Sequence, residues 1–544
     1  MSKFIFFRVN VSSISGIGHL SRSRSLAQSL RLLGIECCFI VDKEDSIYKN
    51  FLIDFKYIFL YNNNESFLDE KNDATRFKGV IKEFEIHGII LDDYRLSLDW
   101  ERQFIDFKYP LIVLDDRDKV HHNCNMIIDA KWTGDTTILR YCKTVPKNCI
   151  RLLGPKYIIL GHEYGKKNNT LNESKKLKNT LNILLNFGGG ADLSIAEELL
   201  LMLLKKSPKE VKLSINVVIG PFALNKDKIL SIANSNKMVK AIINANSLHE
   251  NLKFTDLYIG ASGGTLYEAL SMNIPSITFS ISENQNNELN DLEDFGHYFH
   301  LNNFSKDLFN DFTNLVRLIL SDYNRIKQLY RKDKKIEVDG LGSRRIAKNI
   351  ESLLLNKNSL SFQDYELNET IKNRVQLKQS LELVIEPIGD DHINKYLDAR
   401  NLSSNLRNMT EVEKVNRLSH YIWWLNNERS SFILRKGEEP LLYIWHQLKT
   451  INGFQVLIGG WFLCNEACSP LEVIHALNWQ LEFSNIHFPG VPWVAVINKT
   501  NKFVQLLNKR CGFKSLKEND MLFNITSECF PYATTSDFDY VFKQ

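Results

Sequence analysis

A histidine set in a glycine-bearing turn is the first place along this chain where chemistry could happen. The stretch Ser15-Gly16-Ile17-Gly18-His19-Leu20-Ser21-Arg22-Ser23-Arg24 follows an apolar run, Phe4-Ile5-Phe6-Phe7-Arg8-Val9. It precedes Leu26 to Leu33, where Leu26, Leu30 and Leu33 share one helical face and Gly34 is a natural stop. Small residues between a buried strand and a helix start let backbone approach a phosphorylated ligand, and the helix start offers unpaired N–H groups. The third glycine of the dinucleotide fingerprint G-x-G-x-x-G is missing here. His19 at such a mouth can act as a base or hydrogen-bond a leaving phosphate; capping the helix is the competing role.

Further polar groups fall at the carboxyl ends of apolar runs. Tyr94 closes Ile86-His87-Gly88-Ile89-Ile90-Leu91-Asp92-Asp93-Tyr94, and Asp115 closes Pro110-Leu111-Ile112-Val113-Leu114-Asp115-Asp116. Gly188-Gly189-Gly190-Ala191-Asp192 follows the run Leu181 to Phe187, and its backbone amides could cradle a phosphate. Ala261-Ser262-Gly263-Gly264-Thr265-Leu266-Tyr267-Glu268-Ala269 joins another run to a helix. Thr265 and Glu268 match the capping box T-x-x-E; Glu268 could otherwise accept hydrogen bonds from a ribose diol. Ser282-Glu283-Asn284-Gln285-Asn286 ends the run Ile274 to Phe279.

The elements that must position these groups read as strands alternating with helices. Unbroken apolar runs, rather than alternating ones, predict parallel sheets covered on both faces, whose ligands bind at the carboxyl ends of the strands. Residues 1–165 form one such unit. Residues 166–180 read as a linker or exposed loop, and residues 178–352 form a second unit. Residues 353–380 are polar and form a linker to a third domain, residues 381–544. Two or three domains also suit a length of 544 residues.

Composition excludes several classes. A content of 44% hydrophobic and 24% charged residues is that of a globular protein, and a net charge of +4 is too mild for a nucleic-acid partner. The nine cysteines are scattered, and no second Cys or His pair with metal spacing accompanies Cys464 and Cys468, so no metal is expected and reduced thiols are the simpler reading. No signal-peptide pattern and no run of about 20 apolar residues is present, so a cytoplasmic protein with at most peripheral membrane contact is expected.

Two α/β units facing each other across a cleft make a GT-B-like architecture, and the ordered motifs make a more specific resemblance. Gly16-Ile17-Gly18-His19 with Arg22, Asp92-Asp93-Tyr94, Leu114-Asp115-Asp116 with His121-His122, Gly188 to Asp192, Ala261 to Ala269, Glu283-Asn284-Gln285 and Val338 to Arg345 resemble, in order, the UDP-sugar hydrolases of pseudaminic acid biosynthesis. These release UDP from UDP-2,4-diacetamido-2,4,6-trideoxy-β-L-altropyranose, and the resemblance covers residues 1–352. It implies a reaction without a required cofactor, in which water attacks the anomeric carbon. His19, Tyr94 and Asn284 match the reacting end. Gly16, Gly18, Gly188, Gly189, Ser262, Gly263, Gly264, Thr265 and Glu268 match the nucleotide end, and Arg22, Asp115 and Gln285 the sugar. The second half is also similar to UDP-GlcNAc-dependent GT-B glycosyltransferases of peptidoglycan synthesis, in which the glutamate matching Glu268 holds the uridine ribose. The alternative function is therefore a GT-B glycosyltransferase, with a CMP-nonulosonate among its candidate donors and a surface glycan as acceptor.

The third domain resembles GNAT acetyltransferases acting on nucleotide-linked amino sugars. The resemblance rests on Asp398 to Asn401, Leu406 to Met409, Ser419 to Trp424, the strand Gln455 to Trp461, Pro492 to Lys502, and Cys511-Gly512-Phe513. It implies acetyl-CoA as a cofactor, with Asn501 on it. One departure opposes this. The glycine-bearing diphosphate loop of that family corresponds to Cys464-Asn465-Glu466-Ala467-Cys468-Ser469-Pro470-Leu471-Glu472, which has no glycine and carries negative charge. An acceptor-binding or scaffolding domain is the simpler expectation.

Overall fold

A computed structural model describes residues 3–10, 17–62, 65–165, 180–188, 192–206, 212–281, 285–286, 291–296, 299–302, 305–332, 334–355, 382–465 and 468–544. Three sheets organise them. The first contains β1 (Lys3–Val9), β2 (Ile35–Val41), β3 (Lys56–Phe59), β4 (Gly88–Asp92), β5 (Leu111–Leu114), β6 (Met126–Asp129) and β7 (Ile150–Leu153). Its strands are all parallel, in the order β3-β2-β1-β4-β5-β6-β7. The order turns between β1 and β4, the switch point at which an open sheet holds its ligands.

Both faces of this sheet are buried, which is why its strands are apolar without alternation. Phe7, Phe39 and Ile90 lie on one face beneath Leu26 and Leu30 of the helix Gly18–Arg31. Phe6, Ile89 and Val113 lie on the other beneath Phe77 and Trp100. The first helix begins at Gly18, with Ile17 at its cap, so His19 sits in the first turn and does not cap. Gly34 takes φ +75° after this helix, the left-handed stop that its position predicts.

The second sheet contains β8 (Thr180–Asn186), β9 (Lys212–Ile219), β10 (Val239–Ile243), β11 (Leu257–Ala261), β12 (Ser276–Phe279) and β13 (Phe299–Leu301), in the parallel order β10-β9-β8-β11-β12-β13. The two Rossmann-like sheets form one compact unit, in the expected GT-B arrangement. The helix Gly342–Leu355 crosses back: Ile346, Ala347 and Ile350 pack into the first sheet's core, although the sequence reading assigned them to the second domain. Its start fits tightly, since a Cβ on Gly342 would lie 2.1 Å from the Ile158 carbonyl oxygen.

A separate unit carries β14 (Leu383–Pro387), β15 (Ser430–Lys436), β16 (Glu439–Ile451), β17 (Phe454–Leu463), β18 (Trp493–Asn498), β19 (Lys514–Ser515) and β20 (Phe538–Lys543), in the order β14-β15-β16-β17-β18-β20-β19. This sheet is mixed: β17 and β18 are parallel and joined through the single pair Leu457 and Trp493, while its other neighbours are antiparallel. The expected linker within 166–180 falls on residues 166–179, outside the described residues; of 353–380, the helix continues to Leu355 and residues 356–380 are also outside.

Candidate active site

The helix Gly18–Arg31 presents His19, Arg22 and Ser23 on one face, at the i, i+3 and i+4 spacing that makes helical neighbours. All three converge on Asp92, the last residue of β4, whose strand pairs with β1. His19 Nδ1 lies 2.5 Å from Asp92 Oδ1, Arg22 Nε donates to Oδ2 at 2.9 Å, and the Ser23 hydroxyl donates to Oδ2 at 2.8 Å. Asp92 is fully buried. Burial alone would raise its pKa, but Arg22 and His19 outweigh that and hold it well below the usual carboxylate range. A carboxylate fixed in this way can accept the Nδ1 proton, which leaves Nε2 as the basic nitrogen of a residue that lines the cleft.

Tyr94 sets its ring edge-on to His19, with centroids 4.4 Å apart. Its hydroxyl donates to Asp116 Oδ1 at 2.7 Å, and burial together with Asp116 pushes its pKa up. Arg117 lies over the ring, 4.5 Å from the centroid, and donates to the Tyr94 carbonyl. Asp115, expected to face the sugar, is 3% exposed and ion-paired with Arg117 at 2.6 Å. Burial would raise its pKa, but His122 and Arg117 bring it down to about 2. Arg22, also expected on the sugar, is held by Asp92. Both residues therefore shape the cleft through ion pairs.

The opposite wall belongs to the second sheet. The helix Gly264–Ser271 opens on the cleft with Gly263 in extended conformation at its cap and no acidic residue in its first turn. Such a helix start attracts a phosphate. The expected capping box is absent: Thr265 lies inside the helix, and its hydroxyl oxygen accepts from Asn186 Nδ2 at 2.9 Å. Asn186 also turns back to accept from the amide of Gly188, which takes φ +94°. Glu268, not needed at the cap, lines the cleft instead. Burial and the neighbouring Glu163 carboxylate push its pKa up to about 8, while the Tyr164 hydroxyl opposes the shift. Gln285 closes this wall, its Oε1 accepting from the Ile281 amide at 3.1 Å.

One cleft of about 1600 Å³ gathers Gly18, His19, Arg22, Tyr94 and Asp115 from the first sheet and Gly188, Ser262, Gly263, Gly264, Thr265, Glu268 and Gln285 from the second. Gly16, Gly189 and Asn284 lie outside the described residues. Sequence reasoning missed Asp92, Arg117 and Glu163. Asp92 stood within the quoted Asp92-Asp93-Tyr94, and its place at a strand end was the available signal. Among the described residues no cluster of His, Cys, Asp or Glu could hold a metal ion, and no helix is long and apolar enough to cross a membrane.

In the separate unit, the helix Pro470–His487 carries a capping box in which the Ser469 amide donates to Glu472 Oε2 at 2.7 Å. Lys436 holds the same carboxylate at 3.1 Å. The amide bond and Lys436 keep the Glu472 pKa low, so the helix start already carries negative charge. Asn501, expected at a cofactor, caps the helix Lys502–Arg510 by accepting from the Val504 amide, and donates to Asn408.

No protein-family model matches the chain. An uncharacterised protein of Methanocaldococcus jannaschii is 23% identical over 527 residues, spanning 94% of this chain and 97% of that protein. Among solved structures, a UDP-glucosyltransferase from Polygonum tinctorium superposes with TM-score 0.46 and 12% identity, covering 66% of this chain and 99% of its own. Acinetobacter baumannii MurG gives 0.41 and 11%, covering 64% and 99%. S. aureus MnaA, solved with UDP, gives 0.42 and 13%, covering 67% and 100%.

Proposed function

We propose that the chain hydrolyses a nucleotide sugar, releasing UDP from a UDP-linked neutral amino sugar of the 2,4-diacetamido-2,4,6-trideoxy-β-L-altropyranose type. The observation that carries this reading is the His19–Asp92 pair on one wall of the cleft, opposite the Gly264 helix start and Glu268 on the other. A base faces an anion site across a cleft roomy enough for a nucleotide sugar.

The chemistry follows from those groups. Water beside His19 gives a proton to Nε2 as its oxygen bonds to the anomeric carbon. The bond from that carbon to the phosphate oxygen breaks, the electron pair stays on the phosphate, and UDP departs. Amides of the Gly264 helix start stabilise the developing charge, and Glu268 accepts from the ribose hydroxyls. Asp92 orients the imidazole and stabilises it once protonated. Asn284 belongs near the sugar on the family resemblance alone.

Charge favours a sugar without a carboxylate. Arg22, Arg95 and Arg117 line the first wall, and each is already paired, with Asp92, with Asp93 and Asp42, and with Asp115 respectively. A CMP-nonulosonate would bring a second anion to a wall whose arginines are neutralised. The glycosyltransferase reading keeps one observation in its favour. The Glu472 carboxylate at the Pro470 helix start disfavours a CoA diphosphate there, which suits a third domain that holds an acceptor.

Product analysis by NMR tests the proposal. The full chain is incubated with the UDP-linked diacetamido sugar, beside His19→Ala. Free sugar and UDP, lost in the variant, are expected. Absence of release, with transfer from another donor to a glycan acceptor, would overturn the hydrolase reading.

A further inference from the structure

Beneath the cleft lies a second histidine that no step above uses. His122 follows β5 in a loop and is 3% exposed. Its Nδ1 is 2.6 Å from Glu101 Oε1, and its Nε2 is 3.3 Å from Asp115 Oδ2. Glu101 is itself 1% exposed and also accepts from the Asn123 amide. Asp115 passes the contact on to Arg117, bonding its amide at 2.7 Å and its guanidinium at 2.6 Å. Arg117 then lies on the Tyr94 ring, and Tyr94 meets His19.

The row thus alternates in sign: Glu101, His122, Asp115, Arg117. Two buried carboxylates side by side would repel and lose hydration, so they need a cation between them. An imidazolium supplies that charge: its Nδ1 is hydrogen-bonded to Glu101, while its Nε2 meets Asp115 at 3.3 Å as a charge contact without hydrogen-bond geometry. The neighbouring charge favours the ionised Asp115, which holds Arg117 flat through its amide, Nε and terminal nitrogen. His121, the adjacent residue, is exposed.

We propose that His122 is a positioning residue: held between Glu101 and Asp115, it fixes Arg117 on the Tyr94 ring and so sets Tyr94 against His19. The proposal rests on reading His19 and Tyr94 as the reacting end of the cleft.

The test uses the full chain with His122→Gln, Arg117→Lys and, as control, His121→Gln. Two readouts are taken. One is steady-state UDP release with UDP affinity measured separately by calorimetry. The other is the imidazole resonances of His19 in histidine-labelled protein, assigned with His19→Ala. His122→Gln is expected to lower kcat about 10- to 100-fold while UDP affinity stays within about twofold, because the nucleotide wall belongs to the other sheet. It is also expected to shift the His19 resonances, since the Tyr94 ring current moves. Arg117→Lys keeps charge on a half-exposed side chain but loses the planar stack, and should reproduce both effects if His122→Gln does not fold. His121→Gln should change neither. Unshifted His19 resonances in a folded His122→Gln or Arg117→Lys overturn the proposal, as does a kcat loss matched by an equal loss of UDP affinity. If the native chain releases no UDP from any donor, the functional reading fails, and the His19 resonances alone decide whether His122 positions Tyr94.

Discussion

His19 Nδ1 and Asp92 Oδ1 stand 2.5 Å apart across a sequence gap of 73 residues, because the first helix starts where β4 ends. Removing the base by His19→Ala should lower UDP release by roughly 10²–10⁴-fold. Asp92→Asn should cost a comparable factor, because an amide can donate to Nδ1 and favour the wrong tautomer. A coupled assay for UDP at saturating substrate checks both; wild-type kcat in Asp92→Asn would remove the carboxylate from the mechanism.

Glu268 gives the nucleotide wall its own pH dependence. With a pKa of about 8 in the free protein, it is mostly protonated at neutral pH, and hydrogen bonds from a ribose diol favour the carboxylate. UDP affinity should therefore rise as pH goes from 7 to 9. Glu268→Gln should bind roughly 10- to 100-fold more weakly than the charged form, with a flat profile over that range. Calorimetric titrations with UDP across the range decide it.

For His122 the sign runs the other way. Burial would lower its pKa, but Asp115 and Glu101 raise it to about 9, above the roughly 6.5 of an unfolded histidine. The stability that it contributes is fully present below pH 6.5 and is lost as pH climbs through 9. Thermal melts of the wild type should fall more steeply between pH 7 and 9.5 than those of His122→Gln. Parallel curves would mean that the histidine is already neutral in the folded protein.

In the separate unit, Glu472 occupies the start of the Pro470 helix. Acetyl-CoA should produce no heat on titration into the full chain. Glu472→Ala should lower the melting stability of that unit by about 1 kcal/mol, as the loss of one reciprocal cap does. Saturable acetyl-CoA binding by the wild type would restore the acetyltransferase reading.

Much of this was legible because strands buried on both faces are mostly apolar: β1, β4, β5, β8, β11 and β12 all stood out as runs. The strands β3, β7 and β10, with partly exposed residues, and the three-residue β13 carry too little apolar contrast to be seen. Polar residues at strand ends marked the cleft, yet their partners were hidden. Arg22 and Asp115 looked like ligand contacts, and only the fold shows the carboxylate and guanidinium that each meets. Thr265 and Glu268 fitted a cap by spacing alone, but the helix starts two residues earlier than that pattern requires.

The helix Gly342–Leu355 fills the first sheet's core with Ile346, Ala347 and Ile350, while Ser343 bonds the Leu160 carbonyl at 2.6 Å. During synthesis the opening domain therefore emerges with part of one face uncovered, beside the helix Gly18–Arg31. At ~5–20 residues per second, the ribosome needs roughly 10–40 s more to deliver the missing helix. In that interval the nascent sheet presents an apolar trough to any passing chaperone. A gene cut after the first domain would make the trough permanent, so the first domain matures only once the second has been made.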